Sequence, residues 1–133
     1  MHRPTDADWI LKAMVAVAAA DGRLDAREVG LIQKVYQDLT GRPVDVSGVV
    51  MAVQAYATKR DALGELSIAA GSMSHETKEK IIRAAYLALL ADTRVAEPER
   101  KRLNDIAAAL RISEGELEAI VLTTDGKQKG RRP

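Results

Sequence analysis

At 133 residues the chain is long enough for one domain with a core of its own, and its 47% hydrophobic and 29% charged residues are an ordinary soluble balance. A formal net charge of +1 argues against broad electrostatic attraction to DNA or to a membrane surface. The absence of cysteine excludes disulfides, thiolate nucleophiles and sulfur-ligated metals, and an aromatic content of 3% without any Phe leaves few stacking platforms for single-stranded nucleic acid.

Apolar residues recur with helical spacing along almost the whole chain, and no segment alternates as a strand would, so the expected class is all-α. Ile10, Leu11, Met14, Val17 and Ala18 make the first stripe. The run "ILKAMVAVAAA" before Asp21 has the look of a secretory leader. Lys12 interrupts it, however, Asp6 and Asp8 precede it, and it is too short to span a bilayer, so it is expected to be a core helix. Val29, Ile32, Val35, Tyr36 and Leu39 form a second helix, and Val49, Val50, Val53 and Tyr56 a third. Leu63, Leu66 and Ala70 suggest a fourth that stops at Gly71. Ile81, Ile82, Ala85, Leu89 and Leu90 give the fifth, Leu103, Ile106 and Leu110 the sixth, and Leu117, Ile120 and Val121 the seventh.

Several helix starts are written out in side-chain chemistry. In "LDAREV", Asp25 can accept a backbone N–H of the first turn while Glu28 reaches back, with Leu24 and Val29 as a hydrophobic staple. "ISEGEL" repeats this with Ser113, Glu116, Ile112 and Leu117, while Ser74 and Asp45 are single caps. The helical domain is expected over residues 1–123. The stretch 124–133 has no apolar content and reads as a disordered basic tail, its four Lys and Arg too few for more than peripheral contact with anionic lipid.

Shifting the chain by 71 residues lays Ile10, Leu11 and Ala13 on Ile81, Ile82 and Ala84, and Ala20, Asp21, Arg23 and Leu24 on Ala91, Asp92, Arg94 and Val95. Glu28, Ile32, Val35 and Leu39 then fall on Glu99, Leu103, Ile106 and Leu110. The repeating unit is helix, Asp-containing turn, helix. The expectation is a single-domain bundle of about seven helices, in which two pseudo-symmetric helix-turn-helix repeats flank a two-helix insert.

At these residues, in "AAADGRLDAREVGLIQKV" and "LLADTRVAEPERKRLNDIAAALRIS", the chain resembles the TerB-like family, named for a tellurite-resistance protein and related to a domain of some membrane-anchored J-domain co-chaperones. The resemblance covers most of residues 8–120. It implies an all-helical bundle of about seven helices, a cluster of acidic residues that binds a divalent metal, and an adaptor role in tellurite or other chemical stress without enzymatic activity. Carried onto this chain, the acidic positions are Asp21 and Glu28 from the first motif and Asp92 and Glu99 from the second. The second copy departs from the pattern, with Thr93 in place of glycine and Ala96 opposite Asp25.

Two explanations of the acidic turns stay open on the residues alone. Asp21 and Asp92 each follow a helix, where the macrodipole disfavours a carboxylate by a few tenths to ~1 kcal/mol. Bonds to turn N–H groups and the nearby Arg23 and Arg94 offset that locally, and Asp25 and Glu28 already serve as a cap. Alternatively Asp21, Asp25 and Glu28, with Asp92 and Glu99 brought near by the repeat, supply oxygens to calcium or magnesium. The D-x-D-x-D-G ladder of an EF-hand is missing. His2 and His75 lack zinc-binding spacing, no Ser-His-Asp set assembles, and "PERKR" at 98–102 reads as a solvated face. The function that the TerB-like resemblance implies is a cytoplasmic, non-enzymatic adaptor for protein partners with a divalent cation in its acidic turns. The alternative is a metal-free interaction module, self-associating as a homodimer.

Overall fold

The computed structural model describes residues 5–18, 25–58, 62–90 and 97–130. They form seven helices and, among the described residues, no strand: α1 (Asp6–Ala18), α2 (Ala26–Thr40), α3 (Val46–Thr58), α4 (Ala62–Ala70), α5 (His75–Leu90), α6 (Glu97–Ala109) and α7 (Glu114–Gly130). The chain is an all-α single-domain bundle, as the periodicity leads one to expect.

α1 and α5 pack on each other more extensively than any other pair, and each also touches both α2 and α6. α3 lies against α1 and α2, α7 against α5, and α4 against α6. The two central helices are buried almost all round. In α1 every residue from Ala13 to Ala18 is buried, where the stripe expected only Met14, Val17 and Ala18 to face inward. That all-round burial explains a leader-like run in this place, because a helix covered on every side has no polar face to conserve. α5 likewise buries Ile81, Ile82, Ala84, Ala85, Tyr86, Ala88 and Leu89. Both helices bury small alanines, and Ile32, Leu103, Ile106 and Leu110 close the core from α2, α6 and the turn after α6.

The helix starts form as the side chains dictate. Glu28 N–H donates to Asp25 Oδ1 at 2.8 Å, and the Asp25 N–H returns to Glu28 Oε1 at 3.4 Å, completing a capping box. Asp45 accepts from Gly48 N–H at 2.8 Å, Ser74 from Thr77 N–H at 3.1 Å and Ser113 from Glu116 N–H at 3.2 Å. The return half expected of Glu116 is replaced by a contact with His75 Nε2 at 3.2 Å. α1 carries a box absent from the sequence reading, with Thr5 N–H donating to Asp8 Oδ2 at 2.8 Å and Asp8 N–H to Thr5 Oγ1 at 3.2 Å.

α6 ends in a Schellman motif, in which Ile112 N–H donates to the Ala107 carbonyl at 2.9 Å and Arg111 N–H to that of Ala108 at 3.0 Å. The left-handed residue is Arg111, at φ 61°, a conformation that glycine adopts without penalty. Arg111→Gly is therefore expected to raise stability by ~1 kcal/mol, read as a higher urea midpoint with an unchanged slope.

The last helix departs from expectation. α7 does not stop at residue 123, where a disordered tail was expected, but runs on to Gly130. Thr124 is only 2% exposed because its hydroxyl donates to the Ile120 carbonyl at 2.7 Å, which lets a polar side chain enter the core. Asp125 accepts the Tyr86 hydroxyl at 2.9 and 3.1 Å, tying α7 to α5. Burial, then this bond and the Asp125 charge, hold the Tyr86 phenol above its ordinary 10.0, with Arg100 opposing. A raised folded-state value means that the folded protein favours the neutral phenol. The resulting stability is fully present below about pH 10 and is lost as the pH rises through the raised value. Tyr86→Phe should cost ~1 kcal/mol at neutral pH and lose less between pH 9 and pH 11 than the parent does, in a denaturation series.

Candidate functional site

The acidic turns are represented by their second half. Asp25 and Glu28 are held to each other's backbone by the capping box, Glu28 is buried, and Asp25 is exposed. Asp21 and Asp92 lie outside the described residues; Glu99 belongs to α6, and its side chain is likewise outside them. Among the described residues no group of three His, Asp or Glu side chains is placed to hold a metal ion. A cap accounts for Asp25 and Glu28 without a ligand. Asp25→Ala should then lower stability by ~1 kcal/mol while Asp25→Asn, an equally good cap, stays near the parent in a thermal melt.

His75 stands exposed between two carboxylates, 3.4 Å from Glu79 Oε1 on its own helix and 3.2 Å from Glu116 Oε2 on α7. It is a surface link between the two helix starts. Trp9, Tyr36 and Tyr86 are buried; Tyr56 lies where side chains are not described. The Lys12 ammonium sits 4.7 Å from the centre of the Trp9 ring.

The feature that sequence reasoning missed is on α3. The stripe was expected to turn Val49, Val50 and Val53 inward. Val49 is fully buried and Val53 half-buried, but Val50 is 42% exposed, and Val46 and Met51 are 55% and 68% exposed. Together with exposed Ser47, Gln54 and Ala55 they cover half of the helix circumference. No charged residue occurs anywhere in the helix, in a chain in which 29% of residues are charged. The signal was present in "VSGVVMAVQAYAT": valines and a methionine fall on both faces, too many for one buried stripe. On α4, Ile68 is 82% exposed. No helix among the described residues is long and apolar enough to cross a membrane.

No family model matches the chain, nor does any curated protein or solved structure.

Proposed function

We propose that the chain is a non-enzymatic helical adaptor of the TerB-like kind, which recruits a protein partner on the outer face of α3. The observation that carries this is the uncharged surface of Val46, Val50 and Met51, large apolar side chains held in water on a packed helix. Exposed apolar surface without charge is what protein interfaces bury at their centres. Glutamate at both Val50 and Met51 should leave the melting temperature within about 2 °C, because exposed substitutions cost little. The tagged parent should elute from native extract in a complex that the double variant does not enter. A parent that elutes as a bare monomer overturns the adaptor; a purified parent that dimerises, and a variant that does not, makes the face a homodimer interface.

The TerB-like reading also places a calcium or magnesium ion among Asp21, Asp25, Glu28, Asp92 and Glu99, in a protein that works in the cytoplasm under tellurite or other chemical stress. Its two-repeat arrangement is supported by the Thr77 hydroxyl, which donates to Asp6 Oδ2 at 3.0 Å across exactly the 71-residue offset, and by the pairing of α1 with α5. A metal-free module is favoured by the mutual capping of Asp25 and Glu28. Calorimetry of calcium, magnesium, manganese and zinc into chelator-treated protein separates the two. Saturable heat lost in both Asp21→Asn and Asp92→Asn supports the cation; no heat, with melting temperature lowered in those variants, supports the metal-free module.

A further inference from the structure

α6 and α7 are joined by the short turn at 110–113, yet they rest on other helices, α7 on α5 and α6 on α1, α4 and α5. The cleft between them has a volume of about 520 Å³. One face of each helix lines it. Arg100, Asn104 and Ala108 recur every fourth position on α6, and Glu114, Leu117, Val121 and Leu122 follow helical spacing on α7. That is the pattern with which helices meet a helical neighbour, and here the neighbour's place is open. Ala107, Ile112 and Leu117 are the buried apolar residues at its base, while Leu122 stands 68% exposed at its edge.

The charges of the cleft have opposite signs at opposite ends. Glu114 and Glu118 line it from the start of α7, at the end where the turn joins the two helices. Arg100 lines it from near the start of α6, about 12 Å along the helix from Ala108. The Tyr86 phenol feels the Arg100 charge and bonds Asp125, so Arg100 stands beside the far half of α7. Arg100, Glu114 and Glu118 are all exposed, and none joins an ion pair among the described residues. A helix carries partial positive charge at its N-terminus and partial negative charge at its C-terminus. Laid in the cleft in the same direction as α7, it sets its N-terminus at the two glutamates and its C-terminus at Arg100. The reverse direction sets each end against a like charge.

We infer that the α6–α7 cleft docks an amphipathic helix of a partner protein, parallel to α7, with basic residues at its start and acidic residues at its end. α3 lies against α1 and α2, so this surface is separate from the outer face of α3 and takes a partner of its own.

Two four-turn peptides, acetylated and amidated, test this by calorimetry against the full chain. Both carry leucine at every third or fourth position. The first has lysines in its first turn and glutamates in its last, and the second has them exchanged. The second is the better isolated helix, because its charges suit its own dipole. The first should still bind the protein about tenfold tighter. Arg100→Glu combined with Glu114→Lys and Glu118→Lys should invert that order. Ala108→Trp fills the cleft from an exposed position and should abolish binding of both peptides. Should that variant not fold, Leu122→Glu replaces it, with an expected loss of about tenfold. Val50→Glu with Met51→Glu should leave both affinities unchanged. The inference is overturned by a first peptide without saturable heat, by a second peptide that binds as tightly or tighter, or by an order that survives the charge inversion. Binding that persists in the folded cleft variant, or is lost in the α3 variant, overturns it as well.

Discussion

Replacing Ile81 with alanine is expected to lower the stability of the fold by ~3 kcal/mol and the melting temperature by about 10 °C. Ile81 is fully buried on α5, the helix that touches α1, α2, α6 and α7. Truncation removes apolar surface from the packed centre and leaves a void that the surrounding helices cannot close, since each is fixed by its own cap and neighbours. Ile68→Ala, at a position 82% exposed on α4, removes the same atoms from water-facing surface and should stay within about 0.5 kcal/mol of the parent. Thermal and urea denaturation of the two variants side by side give the comparison. Equal losses would mean that the centre of the fold is not where α1 and α5 meet.

The second large effect runs the other way in volume. Ala84→Leu should cost ~2–3 kcal/mol, although leucine is the more hydrophobic residue and nearly as good a helix former. Ala84, Ala85 and Ala88 are each no more than 1% exposed, on the helix that packs most extensively against α1. An isobutyl group added at a site with no exposed surface must push packed neighbours of α5 apart. Ala108→Leu, on the exposed side of α6, is the control and should be near neutral in the same melt. The buried alanines of α5 thus leave no room for larger side chains in the centre of the fold.

Much of the fold was legible because its signals are local. Asp25 with Glu28, Asp45 and Ser74 mark helix starts through bonds spanning three residues, and such chemistry can be read from sequence spacing alone. Gly71, whose N–H donates to the Ile68 carbonyl at 3.2 Å, ends α4 where expected. What escaped depends on neighbours remote in sequence. The full burial of Val15 and Ala16 follows from how many helices surround α1, and the outward turn of Val50 from where α3 lands. The extension of α7 depends on Thr124 bonding its own helix and on Asp125 meeting Tyr86, 39 positions away, neither of which a lack of apolar residues reveals. For the candidate site, Asp25 and Glu28 could be read either as a cap or as cation ligands, and the bonds of the cap are the ones that form. The sequence did not reveal that the uncharged stretch 46–58 turns half its apolar content to the outside.

The claim that α3 is the working surface is tested most directly by placing a photo-crosslinking amino acid at Met51 in the cell, with the exposed Lys34 on α2 and Glu118 on α7 as controls. One discrete adduct at position 51, absent at 34 and 118 and lost when Val50 is changed to Glu, is the predicted result. No adduct at position 51, or the same adducts from all three positions, would contradict it.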